Sequence, residues 1–332
     1  LGKLKNYKIN CLLNPDTTVI FVGTDKGVVM YGHNTFETLT TAHDLPSNTV
    51  LSLEVFKNYL VIGTDAGLCL YNLSTHKSLT FKSANGLIDE TITSLENQSN
   101  QRLWIGTPEG LMTFDGTGFS YYTVSDANNA NHIRSSLIDR EGNLWFGTHS
   151  GLFRFRDNSF ANYDNIPGLS KSMVYQIFRD TKKNLWVCTG NAGVFQHNGQ
   201  FFKRFGPKEG LNKGFSRAAL QTRNAQLFFG SDEGIYSFSS DRFNSIQLSK
   251  QYTGPCEILF EDRRGTLWIG GTDCFTSYRN IGGHVVSETY TLQTSQKAIV
   301  YGFAEDQLGR LYIGTFKGGL WRLDGKQLEN LS

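Results

Sequence analysis

The stretch "DREGNLWFGTHSGLFRF", from Asp139 to Phe155, decides the fold because the chain writes it repeatedly. "EDRRGTLWIGGTDCF", from Glu261 to Phe275, has the same grammar: an acidic turn with glycine, an aromatic slot, glycine, a hydroxyl residue, a second turn. The glycine after the slot aligns at Gly23, Gly63, Gly106, Gly147, Gly230, Gly270 and Gly314, with Cys188 in its place once, at intervals of 40 to 44 residues. The slot holds Phe21, Val61, Trp104, Trp145, Trp186, Phe228, Trp268 and Tyr312. After the glycine come Thr24, Thr64, Thr107, Thr148, Thr189, Ser231, Gly271 and Thr315. A second glycine follows at Gly27, Gly67, Gly110, Gly151, Gly193, Gly234 and Gly318, with Cys274 standing there in the seventh unit. A fixed period of this length is the mark of stacked supersecondary units.

Each unit parses into four short strands. In the fourth unit these are 133–138, 144–148, 152–155 and 160–163, joined by polar turns, with a longer loop to the next unit. No apolar period of a helix persists anywhere. A lone four-stranded sheet cannot bury both faces, but copies packed radially can, and the slot aromatic fills the gap between neighbours. The fold class is therefore all-β, a β-propeller of four-stranded antiparallel blades. The units at 6–45, 46–87, 88–129, 130–170, 171–212, 213–252, 253–296 and 297–332 give eight blades in one domain spanning 1–332, with a seven-bladed ring as the competitor. Neither terminus reads as a donated strand, so the first and last blades should simply dock.

Composition agrees. Aromatics at 13% and 35 glycines suit many strands and tight turns, and 19% charged residues are a globular value. A net charge of +2 gives no nucleic-acid surface, and no apolar run is long enough to span a membrane. The chain begins at Leu1 without Met or a signal peptide, which reads as a mature form or an excised domain. Cys11, Cys69, Cys188, Cys256 and Cys274 lack metal-site spacing and are expected as buried free thiols; Cys256 with Cys274 is the one pair considered for a disulfide.

"SLIDREGNLWFGTHSGLFRFRDNSFANY" and "LWIGTPEGLMTFDGTGFSYYT" resemble the two-component-regulator propeller repeat. The resemblance covers essentially the whole chain. It implies the periplasmic sensor region of a bacterial signalling protein, in a family many of whose members respond to oligosaccharides.

Function is expected where the repeat departs from itself. The residue ten before each motif leucine, near the start of the innermost strand, is Asn10, about Leu51 after a gap, Thr93, Arg134, Tyr175, Arg217, Glu257 and Tyr301. Arginine forks suit carboxylates and tyrosine rings suit sugar faces, so this ring at the channel mouth is the candidate ligand site. Water-filled, self-neutralising channel lining is the alternative. The turns after the motif threonine add a rim on the same face: Asp65, Glu109, His149, Asn191, Asp232, Asp273 and Lys317, joined by Asp25 and Glu233. Solvated turn residues, or a dock for a cation or basic partner, are the two readings of it. The loops 124–132 and 206–214 could complete a contact surface.

Enzyme classes fit less well. The Asp-to-Gly spacing of three at Asp139 and Asp262 is not the sialidase turn, and Arg134, Arg179 and Arg217, the candidates for an arginine cluster, have no tyrosine–carboxylate pair placed beside them by the sequence. The histidines, His33, His43, His76, His132, His149, His197 and His284, read as scattered over different faces, against a metal-dependent lyase. Four of the five tryptophans occupy the packing slot and Trp321 lies in a third strand, which leaves none for a quinone cofactor. The sequence thus points to a non-enzymatic sensor binding a small polar or oligosaccharide ligand, with no cofactor and no metal. A protein-interaction platform is the alternative, with a protein partner or homodimer, and a polysaccharide lyase or glycoside hydrolase ranks below it. No nucleic acid and no membrane contact are expected, and the location is periplasmic or extracellular.

Overall fold

The computed structural model describes residues 7–15, 19–32, 35–122, 132–139, 141–156, 159–163, 165–212, 216–248, 252, 254–281 and 284–331. Eight antiparallel sheets form, each from four strands consecutive in sequence, at 9–39, 50–81, 94–122, 133–162, 174–205, 218–246, 258–291 and 299–330. They make an eight-bladed β-propeller, which rules out the seven-bladed alternative. Three 3-10 turns, at 41–43, 83–85 and 207–209, are the helical elements among the described residues.

The core is divided among the joints. Each slot residue packs with side chains of the following blade. Phe21 lies with Leu60 and Ile62, Val61 with Leu103 and Ile105, and Trp104 with Leu144 and Phe146. Trp145 lies with Leu185 and Val187, Trp186 with Phe229, Phe228 with Leu267 and Ile269, and Trp268 with Leu311 and Ile313. Tyr312 closes the circle against Ile20 and Val22 of blade 1. The last joint is thus built like the others, and among the described residues no strand passes between first and last blades.

The motif residues each have a packing role. The hydroxyls of Thr24, Thr64, Thr107, Thr148, Thr189, Ser231 and Thr315 donate to the carbonyl of the second glycine at 2.7 to 3.3 Å and accept backbone N–H groups within the turn, as Lys26 N–H does to Thr24. In blade 8 the partner is Gly319, at φ 77°, rather than Gly318, because that turn is one residue longer, as it is at Thr189–Gly193 in blade 5. In blade 7, Asp273 takes the left-handed conformation at φ 56° and Cys274 opens the third strand.

Candidate ligand site at the channel mouth

The variable ring is a ring of β-bulges. Pairing of the innermost strand slips between Ile9 and Cys11, Val50 and Ser52, Ile133 and Ser135, Val174 and Gln176, and Val300 and Gly302. The skipped residues are Asn10, Leu51, Arg134, Tyr175 and Tyr301. At Thr93, Arg217 and Glu257 the backbone N–H donates to the motif glycine carbonyl at 2.9, 2.9 and 3.1 Å, and regular pairing begins at the next residue. A bulge leaves its extra residue out of the ladder and re-aims the side chain, so one backbone device presents five of the eight ring residues to the mouth.

Half of this ring is closed on itself. Asn10 Nδ2 donates to the Val50 carbonyl at 2.8 Å, and Thr93 Oγ1 lies 2.9 Å from the Ile133 carbonyl, each clamping the following blade. The other half, from blade 4 to blade 8, is a continuous polar arc. The guanidiniums of Arg134 and Arg217 lie 5.3 and 5.4 Å from the Tyr175 ring centre, a cation–π sandwich. Arg217 also pairs with Asp232 at 2.8 Å and Glu257 at 3.3 Å. Burial raises the Glu257 pKa, an effect Arg217 partly offsets. Burial, then the charge of Glu257, raises that of Tyr301, which is 42% exposed at the end of the arc.

Arg134 differs from Arg217. It is exposed, and among the described residues its polar partner is not a carboxylate but His149 Nε2, at 3.1 Å from Nη1. A guanidinium can only donate, so this imidazole nitrogen accepts and the ring is neutral. His132 stacks on His149 with centroids 4.0 Å apart. Burial, then Arg134, lowers the His132 pKa; burial, then His132 and Arg134, lowers that of His149. The two histidines therefore converge at the mouth, a correction to the reading that they scatter. No cluster of three or more metal-ligating side chains occurs among the described residues.

The rim residues sit on the expected turns, and several serve their own scaffold. Asp25 accepts the Lys8 N–H at 2.7 Å, Asp273 accepts the Ala298 N–H at 2.6 Å, and Asn191 Oδ1 accepts from Ser172 at 2.9 Å. Asp232 and His149 belong to the arc through Arg217 and Arg134. Asp65, Glu109 and Lys317 occupy the turns of blades 2, 3 and 8, Lys317 with its ammonium 5.4 Å from the Phe316 ring centre. Of the two loops, 124–131 and 213–214 lie outside the described residues.

One feature escaped the sequence. Glu54 and Glu96 pair with the slot residues Val61 and Trp104, at a position that is apolar in the other blades. Burial, then the Glu54 charge, raises the Glu96 pKa to about 7. The pattern break was visible, but not that the two carboxylates would meet across a joint. All five cysteines are free, Cys256 and Cys274 included. Burial pushes the thiols of Cys11 and Cys188 up to about 12, so neither is a nucleophile near neutral pH.

Residues 129–150 match the family model described as two component regulator propeller. That segment is a two-component-regulator propeller repeat. Solved structures similar to the whole propeller include the extracellular domains of BT4673 and BT3049, both described as hybrid two component systems, from B. thetaiotaomicron. The first is 21% identical with a TM-score of 0.57, covering 99% of this chain and 47% of that one. The second is 17% identical with a TM-score of 0.61, covering 98% and 52%. The chain thus spans about half the length of these two regulator domains. Virginiamycin B lyase from Staphylococcus aureus is 13% identical with a TM-score of 0.62, covering 82% of this chain and 93% of that one, a likeness of fold alone. No curated protein matches the chain. No helix among the described residues is long and apolar enough to cross a membrane.

Proposed function

We propose that this propeller is a non-enzymatic sensor module, periplasmic or extracellular, that binds a small polar or carbohydrate ligand at the channel mouth. The observation that carries this reading is the Arg134 guanidinium: exposed, stacked on Tyr175, and, among the described residues, without a carboxylate partner, beside an Arg217 already neutralised by two. A ligand carboxylate or hydroxyl would occupy the free edge of Arg134, and the exposed Tyr301 ring offers a face for a sugar. Signal would pass through a change in how propellers or subunits pack, driven by the ligand's differential affinity for the two arrangements. The similarity to extracellular domains of two-component systems supports both the role and the location.

The test is a thermal-shift screen of a glycan and metabolite library on the wild-type chain and on Arg134→Ala. Compounds that raise the wild-type melting temperature should lose that effect on the variant, whose own melting temperature stays within about 2 °C of wild type. Compounds that shift both proteins equally would remove Arg134 from the site. Complete silence, with a protein partner recovered on the acidic rim, would favour the interaction platform.

A further inference from the structure

On the mouth face the repeat changes charge where the ring closes. Two residues past the motif threonine position stand Lys317 in blade 8 and Lys26 in blade 1. In blades 2 to 7 the same place holds Ala66, Glu109, Ser150, Asn191, Glu233 and Asp273. Blade 1 also has Lys8 two residues before its ring member Asn10, where no other blade has lysine or arginine. Three lysines therefore gather at the joint of blades 8 and 1. Among the described residues none of them forms an ion pair.

Their placement is defined. Lys8 and Lys317 hold their ammoniums 4.2 and 5.4 Å from the centre of one ring, Phe316, and Lys26 stands 4.9 Å from that of Tyr7. The Lys8 backbone is fixed by Asp25: its N–H donates to Asp25 Oδ1 at 2.7 Å, and its carbonyl accepts the Asp25 N–H at 3.0 Å. Beside them opens a groove of about 590 Å³ lined by Tyr7, Lys8, Asp25, Gln293, Gln296 and Lys317, among others. Asp25 is the sole carboxylate of that lining among the described residues, and it is turned to the Lys8 backbone. Lys317, Gln293 and Gln296 are exposed. Lys8 is partly buried, but its ammonium is not among the buried atoms that lack a partner, so it opens to solvent.

Two like charges drawn to one ring repel, and an anion between them relieves the repulsion. A guanidinium fork matches a flat carboxylate, whereas an ammonium is a point charge that meets a tetrahedral oxyanion from any side. The amides of Gln293 and Gln296 both donate and accept, as hydroxyl partners must. We propose that the groove binds a sugar carrying a tetrahedral oxyanion ester, phosphate or sulfate. The ester sits between Lys8 and Lys317, and the hydroxyls meet Gln293 and Gln296. This site lies at a different joint from Arg134 and does not depend on it.

Calorimetric titration of the chain with glucose 6-phosphate, glucose 6-sulfate, glucuronate and glucose tests each part. At least one ester should bind about tenfold or more tighter than glucuronate and glucose, and the tighter ester identifies which oxyanion the groove takes. Lys8→Gln and Lys317→Gln should each weaken that ester at least about fivefold, and the double variant should abolish its binding. The double variant should melt within about 2 °C of wild type, which separates loss of the site from misfolding. Arg134→Ala should leave ester binding intact. No heat with either ester, equal affinity for glucuronate or glucose, or undiminished binding by the double variant would overturn the proposal and leave the lysines a solvated face. Loss of ester binding in Arg134→Ala would overturn it too, and would place the anion at the mouth.

Discussion

A missing β-carbon sets how closely the blades approach. A Cβ on Gly147 would lie 2.5 Å from Val174 and 2.5 Å from Ser135 Oγ; on Gly63 it would lie 2.7 Å from Ile92, and on Gly314 2.8 Å from Ile9. The crowding atoms include the first residue of the next blade's innermost strand, packed against the glycine. Cys188 is the exception that explains the rule. Its neighbour at the same place is Ser216, fully buried and hydrogen-bonded to the thiol, where the other blades put isoleucine, valine or cysteine. Gly147→Cys should therefore cost about 1–3 kcal/mol by overpacking. Combined with Val174→Ser it should show a favourable coupling of more than about 0.5 kcal/mol in a double-mutant cycle measured by denaturant unfolding. Additive losses would mean that backbone shifts, not this contact, absorb the extra atoms. The glycines were legible as motif positions; that they accommodate the next blade, rather than a turn, was not.

At the scale of the strand pair, the acidic turn and the tryptophan are one device. Asp139, Asp180 and Asp262 each accept the indole N–H of the slot tryptophan six residues on, at 2.8 to 2.9 Å, while holding backbone N–H groups of their own turn. Blade 3 lacks this aspartate and uses Gln98 for Trp104 at 2.9 Å. The carboxylate therefore fixes the turn and points the ring across the joint. Asp180→Ala should cost about 2–3 kcal/mol, since Trp186 is wholly buried and its N–H would be stranded. A loss below about 0.5 kcal/mol in chemical denaturation would mean that water reaches the indole. The sequence showed aspartate and tryptophan as separate turn and packing signals. Their bond depends on strand pairing placing the indole edge beside the carboxylate.

Across the whole ring, the charge repulsion between Glu54 and Glu96 links blades 2 and 3 and reaches blade 4, where Ser136 and the Ile138 backbone bond to Glu96. Its effect on stability has a definite sign. The folded pKa, about 7, lies above the ordinary 4.5, so the native state prefers the protonated acid. That contribution is whole below 4.5 and is lost as pH rises through about 7. His132, His149 and His197, all lowered chiefly by burial, act in the opposite direction as they deprotonate. The wild-type melting temperature minus that of Glu96→Gln should therefore fall between about pH 5 and about pH 8. A difference flat with pH would show that water solvates the pair.

The sequence by itself determined the blade and the place where blades differ, because each is a local pattern repeated at a fixed interval; its eight units pointed to eight blades, and the closed ring excluded seven. Register slips of the innermost strands were written as a constant offset, which is why the ring from Asn10 to Tyr301 could be read before any coordinates. Only tertiary structure decided which ring members meet. Among the described residues Arg217 faces two carboxylates and Arg134 none, Asn10 and Thr93 turn to the next backbone, and His132, outside the repeated motif, finds His149 at the turn after the motif threonine. It likewise decided that Lys8 and Lys317 share the Phe316 ring. Side-chain partnerships depend on distances between units of one repeat, and a periodic sequence specifies the units alike while leaving those distances to the closed ring.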